Sequence, residues 1–114
     1  MRRLTTVPAL DEALAASAQR PVLFFKHSAT CGTSAWAHEQ VASWAQAMPP
    51  DVDLWLIDVR EGRDVSQALA TRVGVHHESP QVLLVRDGAV RWHTSHYGVT
   101  ARAIADAMAR ERTQ

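Results

Sequence analysis

The sequence has a single cysteine, Cys31, so no disulfide can close within the chain and a disulfide-stapled secreted scaffold is excluded. Lysine is equally scarce. Lys26 is the only one, and arginine supplies the rest of the 12 basic residues, which 12 acidic residues balance to a formal net charge of zero. There is therefore no electrostatic case for nucleic acid as a partner. No apolar run approaches the roughly 20 residues of a membrane span. The basic start, Met1-Arg2-Arg3-Leu4, leads into polar and then acidic residues rather than the apolar region of a signal peptide. Repeats, low-complexity segments and linkers are absent too. At 114 residues the chain is expected to fold as one domain over residues 1–114. A soluble cytoplasmic protein is expected, a monomer with neither nucleic acid nor membrane as a partner.

What the sequence does have is a regular alternation of patterns. Leu4-Thr5-Thr6-Val7 suits a short strand, and Pro8 then opens a helix with Leu10, Ala13, Leu14 and Ser17 at helical spacing. Pro21 to Lys26 is apolar without alternation, as in a strand buried on both faces. From Ser34 the stripe Val41, Trp44, Ala45 and Met48 predicts a helix stopped by Pro49-Pro50. Val52 to Val59 is a further strand. Val65, Ala68, Leu69 and Val73 are spaced for a helix, with Gly74 placed to end it. Asp87-Gly88 joins Gln81–Arg86 to Ala89–Thr94 as a hairpin. Thr100 can cap a last helix burying Ala101, Ile104, Ala105 and Met108. The order βαβαβαββα predicts an α/β fold, a mixed central sheet with helices on both faces. With the first three strands parallel, the second ends at the edge that holds Cys31. An antiparallel fourth strand begins at that edge with Ser79-Pro80, and the fifth returns to it with Ser95-His96-Tyr97.

Cys31 follows a strand and opens a helix. Unpaired N–H groups and the positive end of the helix dipole there favour the thiolate, which is the form that attacks disulfides. A dithiol site would carry a second cysteine three residues on, where this chain has Ser34. The site is monothiol, able to attack a mixed disulfide but not to resolve the product alone. Ser34 lies one helical turn along, within geometric reach of the sulfur. His27, four residues before it, is placed to depress the thiol pKa as a cationic ring, and Lys26 is the second candidate for tuning it. No carboxylate or second thiol stands at ligand spacing from Cys31, and the adjacent His76 and His77 point apart on an extended segment, so no metal site is expected.

Three stretches in order, FKHSATCGTSA, HESPQVLLVRDG and the SH-aromatic-x-x-T pattern of Ser95 to Thr100, resemble the monothiol bacilliredoxins of the thioredoxin-like superfamily. The likeness covers nearly the whole chain. It implies a thioredoxin-like fold and removal of bacillithiol from S-bacillithiolated client proteins. Bacillithiol would be a co-substrate, with no permanently bound cofactor. It also implies that Cys31 is the nucleophile and Ser79-Pro80 the cis-proline segment. Thr30, Gly32, Ser34, Ser79, Pro80 and His96 would contact substrate, and basic residues at this edge, Lys26, His27, His77 and His96, could bind the carboxylates of bacillithiol. Gly32 makes the motif Cys-Gly-x-Ser, the pattern of monothiol glutaredoxins that carry iron–sulfur clusters. That reading, and a non-catalytic binding module of the same fold, are the alternatives.

Overall fold

Thr6 decides where the first helix starts. In the computed structural model, which describes residues 1–29 and 32–113, the strand expected at Leu4 to Val7 gives way to a shorter one, β1 (Arg2–Arg3), followed by α1 (Val7–Ala16). The Thr6 hydroxyl accepts a hydrogen bond from Ala9 N–H at 3.2 Å, and Pro8 lies in the first turn, where its missing N–H costs nothing. Capping thus wins over the β-branched run. Leu4 N–H still donates to Leu56 O at 2.8 Å, carrying the ladder one residue past β1.

The chain continues as β2 (Val22–His27), α2 (Gly32–Ala45), β3 (Asp53–Asp58), α3 (Arg63–Val73), β4 (Gln81–Arg86), β5 (Ala89–Ser95), one 3-10 turn over His96–Gly98, and α4 (Ala101–Arg112). This is the order that the sequence patterns predict. The described residues form a five-stranded sheet ordered β1-β3-β2-β4-β5. In it β1, β3 and β2 are parallel, while β4 is antiparallel to β2 and β5.

Central β2 is buried along its whole length, which is why its sequence does not alternate. Its side chains nevertheless divide between two cores. Leu23 and Phe25 pack with Val41 and Trp44 of α2 and Ile104 and Met108 of α4. Val22 and Phe24 pack on the other face with Leu10 of α1 and Val65 and Leu69 of α3. In α4 the buried stripe is Ile104, Ala107 and Met108. Ala105 is exposed, a correction to its expected burial, because a stripe running i, i+3, i+4 from Ile104 leaves the next position facing solvent.

Turn chemistry holds where it was expected. Gly74 closes α3 at φ 70°, and Asp87 and Gly88 take φ 56° and 74°, the left-handed pair that a two-residue hairpin needs. Ser17, at the end of α1, receives that turn: Asp87 N–H donates to its carbonyl at 2.8 Å and Gly88 N–H to its hydroxyl at 2.9 Å. The hairpin tip is thereby fixed at the end of the sheet away from the C-terminus of β2.

Candidate functional site

Strand register decides which loops meet. Lys26 pairs with Gln81 across β2 and β4, so Ser79 and Pro80, just ahead of Gln81, lie where the chain leaves β2. Gln81 pairs with Ser95 on its other side, and His96 donates its N–H to Pro80 O at 2.9 Å. The helix α2 starts at Gly32, the residue after Cys31. The segments expected at one edge therefore come together there. Thr30 and Cys31 themselves lie outside the described residues.

The Ser79–Pro80 peptide is cis. Pro80 is buried, and the Ser79 hydroxyl, also buried, has no hydrogen-bond partner among the described residues. Next to it the half-buried Glu78 has its carboxyl held below the usual range, first by a hydrogen bond from Ser95. His96 Nε2 stands 3.8 Å from Glu78 Oε1. His96 is exposed, and it takes the left-handed φ of 54° that few non-glycine residues adopt. Bonds at both its N–H, to Pro80 O, and its carbonyl, from Val99 N–H at 3.2 Å, hold that conformation. Two residues on, a Cβ at Gly98 would overlap Thr94 Oγ1, so the turn back toward α4 requires glycine. Beside it Tyr97, 72% exposed, lies against Trp36 of α2 with ring centroids 5.5 Å apart.

On the α2 side, Ser34 is fully buried, and its Oγ accepts from Ser28 N–H at 3.1 Å. The hydroxyl closes the turn between β2 and α2. Gly32 is exposed with no atom within 4 Å of where its Cβ would stand, so space there does not demand glycine. His27 is buried and stacks on Phe25 at 5.6 Å and 29°. His38 of α2 lies 5.6 Å away, and His27 Nε2 has no partner among the described residues. Burial, then His38 and Arg3, lower its pKa from 6.5 against the opposing pull of Asp58. The cationic His27 expected beside the thiol is thus corrected to a neutral ring at neutral pH, because desolvation disfavours its charged form.

Lys26 requires a larger correction. Expected to reach for a ligand's carboxylates, it is wholly buried. Strand alternation turns it to the face of Val22 and Phe24, away from α2. There its Nζ donates to Ser66 O of α3 at 3.0 Å and lies 3.2 Å from His77 Nδ1. Ser66 Oγ is 3.1 Å from the same nitrogen. Burial lowers the Lys26 pKa to about 8. It also lowers that of His77, with Lys26 and His76 adding to the shift and Glu78 opposing it. A neutral His77 offers Nδ1 as acceptor to the ammonium, which assigns its proton to Nε2. This engagement takes Nδ1 of His77 out of the set of groups free to bind an anion.

Gln81, also buried, completes the arrangement: its Nε2 donates to His76 O at 3.1 Å and its Oε1 accepts from Glu78 N–H at 3.4 Å. Sequence reasoning passed over Ser66 and Gln81. The available signal was a lysine and a glutamine at the ends of two apolar strands, since polar groups in such places need partners. No group of three or more His, Cys, Asp or Glu gathers into a metal site among the described residues. No helix is long and apolar enough to cross a membrane.

Comparison with known proteins agrees with this architecture. The family model of the monothiol bacilliredoxin BrxC matches residues 2–104. Among solved structures, a chain assigned as an oxidoreductase with a thioredoxin fold superposes with a TM-score of 0.83 at 27% identity, over 94% of this chain and 92% of that one. Fasciola hepatica thioredoxin gives 0.76 at 19% identity over 96% and 98% of the two chains. Chloroplastic thioredoxin z gives 0.79 at 17% identity over 100% and 96%. The fold is that of thioredoxin.

Proposed function

Since the chain belongs to the monothiol bacilliredoxin family, we propose that it removes bacillithiol from S-bacillithiolated proteins by thiol–disulfide exchange at Cys31. Family and fold together support a thiol redox role. The observation that supports the finer reading is the strand register that sets the cis Ser79–Pro80 segment at the C-terminal end of β2, in a chain whose one cysteine lies between that strand and α2.

In this reaction the Cys31 thiolate attacks the bacillithiol sulfur of the mixed disulfide. The S–S bond to the client breaks, the client leaves as a thiolate, and a Cys31–bacillithiol disulfide forms. Ser34 has no sulfur with which to expel the adduct, and its oxygen is engaged by Ser28 N–H. A second, external thiol must attack the Cys31–bacillithiol bond to regenerate the enzyme. The backbone of Ser79 offers an extended client segment a strand-like partner, with Pro80 and His96 beside it and Thr30 and Gly32 flanking the sulfur in sequence. The reaction belongs in the cytoplasm, with the protein acting as a monomer.

Intact mass spectrometry tests this. Reduced protein mixed with a bacillithiolated client should acquire one bacillithiol, release the reduced client and stop near one equivalent; added bacillithiol should restore turnover. Cys31→Ser should abolish transfer. A client that is reduced without any adduct on Cys31 would refute the route.

A further inference from the structure

We propose that Lys26 is a positioning residue for this site: from the opposite face of the sheet it holds, through His77, the segment that leads into Pro80. This rests on the reading above, in which that segment receives the client's chain.

The residues ahead of Ser79 are tethered one by one. The carbonyl of His76 accepts from Gln81 Nε2 at 3.1 Å, the His77 ring is held 3.2 Å from Lys26 Nζ, and Glu78 N–H donates to Gln81 Oε1 at 3.4 Å. Both anchors are buried and are direct partners in the β2–β4 register, so they point to one side of the sheet. They end a face that is otherwise apolar, with Phe24 and Leu83 one step inward.

An ammonium buried there, with no carboxylate within ion-pair distance among the described residues, needs a reason. A methionine would fill the same volume without the desolvation penalty. Of the two groups that Lys26 Nζ meets, the Ser66 carbonyl lies inside α3, where the helical ladder already supplies a donor. His77 Nδ1 depends on groups from outside its own segment, the amine at 3.2 Å and the Ser66 hydroxyl at 3.1 Å. What the amine supplies is therefore a donor directed at His77, and through it a fixed path for the two residues that separate His77 from Pro80. Loosening that path would add the cost of ordering the segment to client binding, so this anchor governs client docking rather than the thiol's own reactivity.

The experiment compares Lys26→Met, His77→Ala, His77→Asn and the double variant Lys26→Met/His77→Ala. Each is measured in single turnover with a bacillithiolated client and, separately, with 4,4′-dithiodipyridine, a disulfide too small to lie along the segment. Lys26→Met and His77→Ala should each raise the half-saturating client concentration about tenfold, with the plateau rate and the dithiodipyridine rate within about twofold. The double variant should be no worse than His77→Ala, because Lys26→Met removes a donor to a ring that His77→Ala has already deleted. His77→Asn, which keeps an acceptor oxygen, should stay near wild type. Unchanged half-saturation in Lys26→Met and His77→Ala, multiplied effects in the double variant, or an equal fall with the small disulfide would overturn the proposal. Should Lys26→Met not fold, the contrast between His77→Ala and His77→Asn decides. Should wild-type protein transfer no bacillithiol, the function proposed above fails, and positioning is read from hydrogen exchange at the Glu78 amide. Faster exchange in Lys26→Met and His77→Ala supports the anchor, and unchanged exchange sinks it.

Discussion

At Lys26 two physical demands conflict. The side chain fills a place in the interior, which favours burial, but its charge is disfavoured there, and the balance shows in a pKa brought down to about 8 from 10.5. Between those values the unfolded chain binds more protons than the folded one, so stability must rise with pH. Wild-type protein should gain up to about 3 kcal/mol from this group as the pH climbs from 8 toward 10.5. Lys26→Met should lose that slope and be no less stable at pH 7, since it removes the buried charge rather than stranding it. Urea unfolding of both proteins at pH 7, 8, 9 and 10 checks this. A parallel pair of curves would mean that Lys26 is solvated in the folded state.

Among the elements, α4 shows how local and distant contacts share one task. Its N-terminus is bonded twice: the Thr100 hydroxyl accepts from Ala103 N–H at 3.0 Å, and Gln40, reaching over from α2, accepts from Ala101 N–H at 3.0 Å. The first bond follows from the sequence, where a threonine precedes a helical stripe. The second needs α2 and α4 to share one face of the sheet. Each caps a different N–H group, so the losses should add. Thr100→Ala should cost about 1 kcal/mol, Gln40→Ala about 1 kcal/mol, and the pair about the sum by urea unfolding. A sum much smaller than this would show that one cap substitutes for the other.

For the molecule as a whole, the two faces of the sheet each carry a histidine whose charged form burial opposes. His27 packs on the α2 side with His38, Asp58 and Arg3 acting on it. His77 packs on the α3 side with Lys26, His76 and Glu78. Both pKa values are lowered. Their stabilising contribution is therefore present above the ordinary histidine value of about 6.5 and is lost as the pH falls from there through the folded values. Unfolding free energy should decline between pH 7 and 5, before the lowered carboxylates Asp58 and Glu78 begin to matter. His27→Phe, which keeps the stack on Phe25, should flatten part of that decline. Denaturant titrations across this range test it, and an unaltered slope would remove His27 from the account.

Element order, the two-sided burial of β2, the Asp87-Gly88 turn, the Gly74 stop and the Thr100 cap were all readable along the chain, because periodicity and turn chemistry act over a few residues. So was the meeting of Ser79-Pro80 with Ser95-His96, which follows from strand direction alone. The first strand lies earlier than its β-branched run suggests, because one capping hydroxyl, that of Thr6, outweighs that run. The two basic residues ahead of Cys31 lay beyond sequence reasoning for another reason. Alternation sends Lys26 and His27 to opposite faces, and only packing determines that α3 with the His77 segment covers one while Phe25 and His38 enclose the other. Charge depends on that enclosure, since burial sets the protonation state. The sequence by itself determined which segments gather at the Cys31 edge; the tertiary structure decided that the lysine is buried on the other face of the sheet, against Ser66 and His77, because packing and not alternation settles what covers each face.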